Sequence, residues 1–111
     1  MAKKLEFVML LDCYGELLTE HQKNIMELYY CEDLSLAEIS EPLGITRQAV
    51  QNMLRRAEKI LLNYEEKLGF AERLEKMRCC FGNIRGAAAE LNDNSLKLRI
   101  ENEIAKGLEL L

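Results

Sequence analysis

The residues from Ser40 to Met53 follow a set of spacings that few folds require. Two short helices cross at a steep angle only if a small residue lies at the crossing and a glycine makes the turn. Ser40 is followed four positions later by Gly44, and Ile45 then offers an apolar side chain to the core. Val50 and Met53 stand where the second helix must turn apolar side chains back towards the first. The pattern predicts a helix-turn-helix.

Hydroxyl side chains predict where the helices around this turn begin. A Ser or Thr with Gln or Glu three positions later is a capping box, and two stretches have this spacing, Thr19-x-x-Gln22 and Ser35-x-x-Glu38. Thr46 is the predicted cap of the second helix of the motif, which extends to about Lys67 before a predicted stop at Gly69. Pro42 lacks a backbone N–H and crowds the preceding turn, which predicts that the helix starting near Ser35 ends early.

Further helices are predicted on both sides of the motif, and with one Pro and six Gly the chain is predicted to be all-α. A first helix is expected from about Lys4 to Leu17, where Leu5, Val8, Leu11 and Leu18 fall near helical spacing with Phe7 and Tyr14 beside them. After Gly69, steps of three and four define two apolar seams: Leu74, Met77, Phe81, Ile84, Ala88, Leu91, and Leu96, Ile100, Ile104, Leu108, Leu111. The predicted division is a helix-turn-helix domain over 1–68 and a C-terminal helical extension over 69–111.

The outward face of the helix over 46–62 carries the candidate functional residues. Arg binds guanine and Gln or Asn binds adenine in the major groove, while Lys, Arg and a helix N-terminus bind phosphate. The predicted DNA-binding residues are Thr46, Arg47, Gln48, Gln51, Asn52, Arg55, Arg56 and Lys59. The alternative interpretation is an ordinary solvated helix face, which has the same composition.

Charge gives only weak support to nucleic-acid binding. The formal net charge is −4, and the acidic excess lies in residues 1–34, which hold three Lys and seven Asp or Glu. Residues 35–64 hold four Arg or Lys and three Glu, so the candidate helix lies in the only basic segment. A nucleic-acid-binding domain usually has a stronger basic field.

Other classes of function find little support. The longest apolar run, Phe7 to Leu11, is far below the ~20 residues of a membrane span, and we expect a cytoplasmic protein. The four cysteines have no C-x-x-C spacing, and His21 is the only histidine, so no metal site is predicted. Neither a nucleophile with a base nor a phosphate-binding glycine loop is found. We therefore expect no catalytic residues, no cofactor and no enzymatic activity.

The segment LLTEHQKNIMELYYCEDLSLAEISEPLGITRQAVQNMLRRAEKIL is similar to region 4 of bacterial sigma factors. The whole chain resembles the YlxM family of small bacterial helix-turn-helix proteins, which share its first helix, the ITRQAV motif and a helical tail. The resemblance implies a sigma-region-4-like fold and a role in the signal recognition particle pathway. It also implies an alternative to DNA binding, in which the protein is an accessory that binds the particle's protein or RNA.

The apolar seams of residues 69–111 leave two arrangements open. The two helices either fold back on the helices before them or pair with a second copy of the chain. A homodimer would present two recognition helices to a palindromic DNA site.

Overall fold

A computed structural model describes residues 5–111 and confirms the all-α prediction, since this range contains no β-strand. The six α-helices are α1 (Leu5–Tyr14), α2 (Glu20–Met26), α3 (Leu36–Leu43), α4 (Arg47–Leu68), α5 (Phe70–Ala88) and α6 (Asn94–Glu109). A 3₁₀ turn, Gly15–Leu17, follows α1, and a π-helical turn, Glu27–Cys31, follows α2. The predicted start of the first helix at Lys4 lies outside the described residues.

The chain forms two compact units, one ending at Ala71 and the other running from Glu72 to Leu111. The division into functional domains over 1–68 and 69–111 stays a prediction. Within residues 5–111, no helix combines the length and apolar character that crossing a bilayer demands.

The helix-turn-helix is formed by α3 and α4 and confirms most of the predicted geometry. The Ser35 hydroxyl accepts from the backbone N–H of Glu38, and the Glu38 side chain accepts from the backbone N–H of Ser35, both at 3.1 Å. Gly44 has φ 67°, a left-handed conformation that costs glycine little, and it ends α3. Ser40 at the crossing is 4% exposed and Val50 is fully buried, so the two helices approach closely.

Two details of the turn differ from the predictions. Ile45 was predicted to fill the core but is 36% exposed, because α4 begins two residues later and Val50 and Ile39 already fill the crossing. Pro42 does not end α3 early; it lies within the helix, which continues through Leu43. Because Pro42 stands in the last turn, only one backbone hydrogen bond is lost before Gly44 ends the helix.

The first helix buries only part of the predicted face, together with Leu10: Leu11 and Leu18 are buried as predicted, but Val8 is only half-buried. Leu5 is 77% exposed, and the buried side chains of α1 are Phe7, Leu10, Leu11 and Tyr14. Nearly every residue of α1 is apolar, so the pattern of apolar side chains hardly distinguishes one face from another. The face is set by packing against the rest of the unit.

Helix α4 supplies the centre of the first unit's core. Val50, Leu54, Ala57 and Leu61 are all buried along one side, as the spacing of apolar residues predicts. They belong to the same cluster as buried residues from α1, α2 and α3, including Phe7, Ile25, Met26 and Ile39. The same apolar spacing continues through Tyr64 to Leu68 and predicts burial there too, but Leu68 is 41% exposed. Gly69 ends the helix with φ 64°, as predicted.

Two tyrosines connect the earlier helices to α4. The Tyr14 hydroxyl donates to Glu65 Oε1 at 2.6 Å and accepts from the backbone N–H of Phe70 at 3.1 Å. The same Glu65 oxygen accepts from the backbone N–H of Ala71 at 3.0 Å. These N–H groups open α5 and have no partner within that helix, so Tyr14 and Glu65 together cap it. Separately, the Tyr30 hydroxyl of the π-helical turn donates to Glu58.

The second unit is a helical hairpin made from the later part of α5 and from α6. Asp93 caps α6 by accepting from the backbone N–H of Leu96 at 3.1 Å. Ala88 and Ile104 are its buried apolar residues. A Cβ built on Gly107 would lie 2.5 Å from Phe81 Cζ, so the absence of a side chain there lets the Phe81 ring lie against α6.

Candidate nucleic-acid interface

The start of α4 is held by its predicted cap. The Thr46 hydroxyl accepts from the backbone N–H of Ala49 at 3.0 Å. Thr46 itself has an extended backbone, with φ −77° and ψ 157°, as an N-cap residue should. No acidic side chain lies in the first turn of α4. The positive end of the helix dipole is therefore not neutralised by a carboxylate of its own first turn.

Seven of the eight candidate residues are exposed: Thr46, Arg47, Gln48, Asn52, Arg55, Arg56 and Lys59. The eighth, Gln51, is half-buried, so it offers less of its amide to a ligand. The Gln48 Nε2 donates to the Asn52 Oδ1 at 3.3 Å, one turn along the helix. This bond joins the Gln48 amide N–H to the Asn52 carbonyl oxygen. The Gln48 carbonyl oxygen and the Asn52 amide N–H groups take no part in it.

The candidates do not all face the same way. Counted at about 100° per residue, Arg47, Gln51, Arg55 and Gln48 lie within about 100° of one another around α4. Arg56 lies on the far side of Lys59, about 100° beyond Arg55. The buried side of α4 lies opposite Lys59 and next to Arg47 and Gln51, which is why Gln51 is half-buried. The helix thus brings Arg47, Gln48 and Arg55 onto one surface and carries Arg56 and Lys59 towards its neighbour α2.

The cations of this surface are not neutralised by the protein itself. Among residues 5–111, no ion pair joins Arg47, Arg55, Arg56 or Lys59 to a carboxylate. The nearby Glu58 instead accepts from the Tyr30 hydroxyl, and burial together with that bond raises the pKa of Tyr30 well above its ordinary value. The exposed cations of α4 are therefore available to an anionic ligand.

A groove between α2 and α4 adds residues that sequence reasoning missed. Arg56 and Lys59 line it together with Gln22, Ile60, Leu62, Asn63 and Glu66. Leu62 is 45% exposed and gives the groove an apolar side chain. The signal was present in the sequence, because Asn52, Lys59, Asn63 and Glu66 recur at steps of seven, four and three and so form one row along α4.

The cysteines and the histidine are scattered over the surface and the edge of the core. Cys31, Cys79 and Cys80 are exposed, Cys13 is half-buried and all four are free thiols. Burial raises the pKa of the Cys13 thiol, which lowers its thiolate fraction at neutral pH. His21 is exposed in the first turn of α2. Over the described range, no three His, Cys, Asp or Glu side chains converge as a metal site would require.

The crossing of α3 and α4, the glycine turn and the exposed polar face of α4 define this chain as an all-α helix-turn-helix protein with a helical tail. Comparison of the sequence with known families identifies the group. The chain belongs to the UPF0122 family, described as "Putative helix-turn-helix protein, YlxM / p13 like", whose model matches residues 1–103. That description is of a helix-turn-helix protein and not of an enzyme.

Individual relatives match over different lengths. A UPF0122 protein of Desulforamulus reducens is 58% identical over 65 residues, which cover 59% of this chain and 56% of the relative. One from Clostridium kluyveri is 49% identical over 72 residues, covering 65% of each chain. One from Clostridium perfringens is 44% identical over 110 residues, covering 98% of this chain and 96% of the relative. The match therefore spans little more than half of the first relative and nearly all of the third.

Proposed function

We propose that this protein is a cytoplasmic, non-enzymatic regulator that binds duplex DNA through the exposed face of α4. The observation that carries the proposal is the group of four exposed cations over residues 47–59 of α4, Arg47, Arg55, Arg56 and Lys59, which no carboxylate of residues 5–111 pairs. Phosphate contacts from such cations supply most of the non-specific affinity of DNA-binding proteins.

The dimensions of α4 suit the major groove. Arg47 and Arg55 are eight residues apart, which corresponds to about 12 Å of helix, and the major groove of B-DNA is about 12 Å wide. Between them lie Gln48 and the half-buried Gln51 on the same side. In this arrangement Arg47 and Gln48 read base edges, while Arg55 contacts bases or phosphate.

The two remaining cations support a different part of the contact. Arg56 and Lys59 lie further along α4 and face the groove beside α2. Because phosphates run along both edges of the major groove, these side chains are placed for the backbone and not for base edges. The Thr46 hydroxyl and the N–H groups that open α4 offer a further phosphate contact.

The proposal predicts a steep but limited salt dependence. Phosphate contacts from Arg55, Arg56 and Lys59 give a slope of log K against log salt of about −3, from ~0.9 per contact. We expect Arg56→Ala to reduce the size of that slope by about one for every sequence, and Arg47→Ala with Gln48→Ala to remove the preference among sequences. The matched control is Lys67→Ala, which removes an exposed cation near the other end of the same helix.

The experiment is selection from a random pool of duplexes at low salt, followed by anisotropy titrations of the enriched sequence at several salt concentrations. No enrichment of any duplex would refute DNA recognition. An effect of Lys67→Ala equal to that of Arg56→Ala would refute the assignment of the interface to the first half of α4.

A second candidate function is supported by the acidic surface of the first unit. The seven acidic residues of its first 34 positions are all exposed: Glu6, Asp12, Glu16, Glu20, Glu27, Glu32 and Asp33. Such a surface repels both DNA and RNA and suits a basic protein, so it supports the protein-binding form of this alternative. In this alternative, the protein is an accessory of the signal recognition particle pathway that binds the particle's protein or RNA, a role implied by the family resemblance.

Purified components separate the two functions. Titration of this protein with the particle's protein, its RNA and its receptor GTPase, each alone, should show saturable binding if the accessory role is correct. Binding that is lost when Glu20 and Glu27 are changed to Gln, and that survives Arg47→Ala, would support an acidic docking surface. Absence of binding to all three components would exclude this alternative.

A further inference from the structure

The second unit leaves much of its apolar surface uncovered. Ala88 and Ile104 are its buried side chains, whereas five large apolar ones are exposed: Met77 at 47%, Ile84 at 49%, Leu96 at 39%, Leu98 at 60% and Leu110 at 87%. All of these except Leu98 belong to or flank the two seams that step by three and four along α5 and α6. A helical face with this spacing normally lies against another helix.

The exposed side chains are concentrated in one groove between the two helices, here called the tail groove. Its apolar lining comes from α5 and α6: Phe81, Ile84, Leu96, Ile100, Ile104 and Leu110. Its charged rim lies on α6 alone, as Arg99, Glu103 and Lys106. The Phe81 ring forms part of the α5 side of the groove. It lies so close to Gly107 that a Cβ at that position would clash with it.

The size of the unit indicates that something covers this groove. The second unit has 40 residues, from Glu72 to Leu111. Units of about this size need disulfides, metals or oligomerisation to be stable. Its two cysteines, Cys79 and Cys80, are free, and no metal-binding group is found in the described range. Association with further helices is the remaining means of stabilisation.

We propose that the tail groove is a homodimer interface, in which the α5–α6 hairpins of two copies pack as a four-helix bundle. In a two-fold dimer the same surface meets itself, so it must be self-complementary in charge as well as apolar. The rim meets this condition, since it carries both signs along one ridge of α6 at steps of four and three. A two-fold axis across α6 places Glu103 of one copy opposite Arg99 or Lys106 of the other.

The ion pair between Lys106 and Glu103 within one copy does not compete strongly with pairing across the two-fold axis. Lys106 Nζ lies 3.3 Å from Glu103 Oε1, but the two side chains are 71% and 74% exposed. Exposed pairs of this kind contribute little to stability. Both side chains are therefore available for pairing across the two-fold axis.

A dimer of the tails has one consequence for DNA recognition. Only this consequence rests on the proposed function. Two copies would present two α4 helices, so an operator would be a palindrome with its half-sites related by the same two-fold axis. The dimer itself requires no nucleic acid. Its test is therefore made on the full chain without DNA, where failure of DNA binding has no effect on the outcome.

The first experiment is sedimentation equilibrium of the full chain over a range of concentrations. We expect the wild type to have twice the monomer mass and Ile84→Glu to be monomeric, because a charge is introduced into the groove. Leu98→Glu is the matched control, since Leu98 is 60% exposed on α6 and does not line the groove. A monomeric wild type at every concentration, or equal dissociation by Leu98→Glu, would overturn the proposal.

A second experiment uses charge reversal and does not depend on the folding of Ile84→Glu. Glu103→Lys makes the rim wholly basic, and Arg99→Glu with Lys106→Glu makes it wholly acidic. Each variant alone should dimerise at least tenfold more weakly, since like charges then face each other. Mixing the two should restore association as a heterodimer. A mixture that associates no better than either variant alone would show that the rim does not face itself.

Discussion

The hydrogen bonds of Tyr14 allow a quantitative test of how the first unit is held together. Tyr14→Phe keeps the ring, which is 2% exposed and stacks on Tyr64 with ring centroids 5.8 Å apart, and removes only the hydroxyl. The Glu65 carboxylate then loses a donor at 2.6 Å, and the backbone N–H of Phe70 loses an acceptor at 3.1 Å. No local group of α4 or α5 replaces the hydroxyl at this position.

The expected loss follows from the kind of bond removed. A hydrogen bond to a charged group contributes about 1.5–3 kcal/mol, and a neutral one about 1 kcal/mol. Partial access of water to the start of α5 reduces the second contribution, because Phe70 is 46% exposed. We expect Tyr14→Phe to lower the free energy of unfolding by about 2–3 kcal/mol, with a fall in Tm on the order of 10 °C.

The assay is urea unfolding followed by circular dichroism, with Tyr64→Phe as the matched control. Tyr64 is half-buried in the same aromatic pair, and no hydrogen bond of its hydroxyl is found in the described chain. Loss of the Tyr64 hydroxyl should change the free energy of unfolding by less than about 0.5 kcal/mol. Equal midpoints for the two variants would refute the assignment of this energy to the Tyr14 hydroxyl, provided the urea dependence of both is unchanged.

The same site predicts a loss of stability in alkali. Burial and the bond to Glu65 raise the pKa of Tyr14 to about 12, above the value of about 10 in the unfolded chain. The protonated hydroxyl therefore stabilises the fold fully below pH ~10, and this contribution is lost as the pH rises towards 12. We expect the difference in stability between wild type and Tyr14→Phe to shrink over that interval, and a constant difference would contradict the raised pKa.

Perturbations at four positions test the remaining geometry by the same unfolding measurement or by hydrogen exchange. Thr46→Ala should destabilise α4 by about 1 kcal/mol because the cap is lost, whereas Thr46→Ser should have little effect; equal losses would show that the cap bond contributes nothing. Gly86→Ala should slow amide hydrogen exchange in α5, because alanine favours the helix and its Cβ would meet no atom within 4 Å. Gly107→Ala should not stabilise α6, because its Cβ would clash with Phe81. Ser40→Leu should cost about 1–3 kcal/mol at the buried crossing, and a stability equal to wild type would show that α3 and α4 do not approach closely there.

Features set by neighbouring residues were predicted well from the sequence. The capping boxes at Thr19 and Ser35, the cap at Thr46 and the left-handed glycines at 44 and 69 each depend on atoms only a few positions apart. Their residue types leave few alternative conformations, so the spacing alone identifies them.

Features that depend on distant packing were predicted poorly or not at all. Tyr14 and Glu65 are 51 residues apart, and Tyr30 and Glu58 are 28 apart, so no local pattern connects them. The π-helical turn over 27–31 has no distinctive composition, and α1 is too uniformly apolar to reveal its buried face. The prediction that Ile45 lies in the core was wrong. The motif places an apolar residue at position 45, but the sequence does not show how much of the space between α3 and α4 Val50 already fills.

The candidate interface was predicted in part. Exposure of seven of the eight candidate residues follows from their position off the buried side of α4. Their separation into a surface around Arg47 and a groove shared with α2 depends on where α2 packs, which the periodicity of α4 does not contain. Whether DNA occupies either surface stays a prediction.

The bonds of Tyr14 also give the protein an internal optical probe. The chain has four tyrosines and no tryptophan, so its intrinsic emission comes from tyrosine alone. A phenol that donates to a carboxylate emits weakly, and two of the four, Tyr14 and Tyr30, do so here. Emission should therefore brighten when the first turn of α5 separates from α1, and the Tyr14→Phe variant identifies that part of the signal. Movement at the junction between helix-turn-helix and tail can thus be followed without attaching a label.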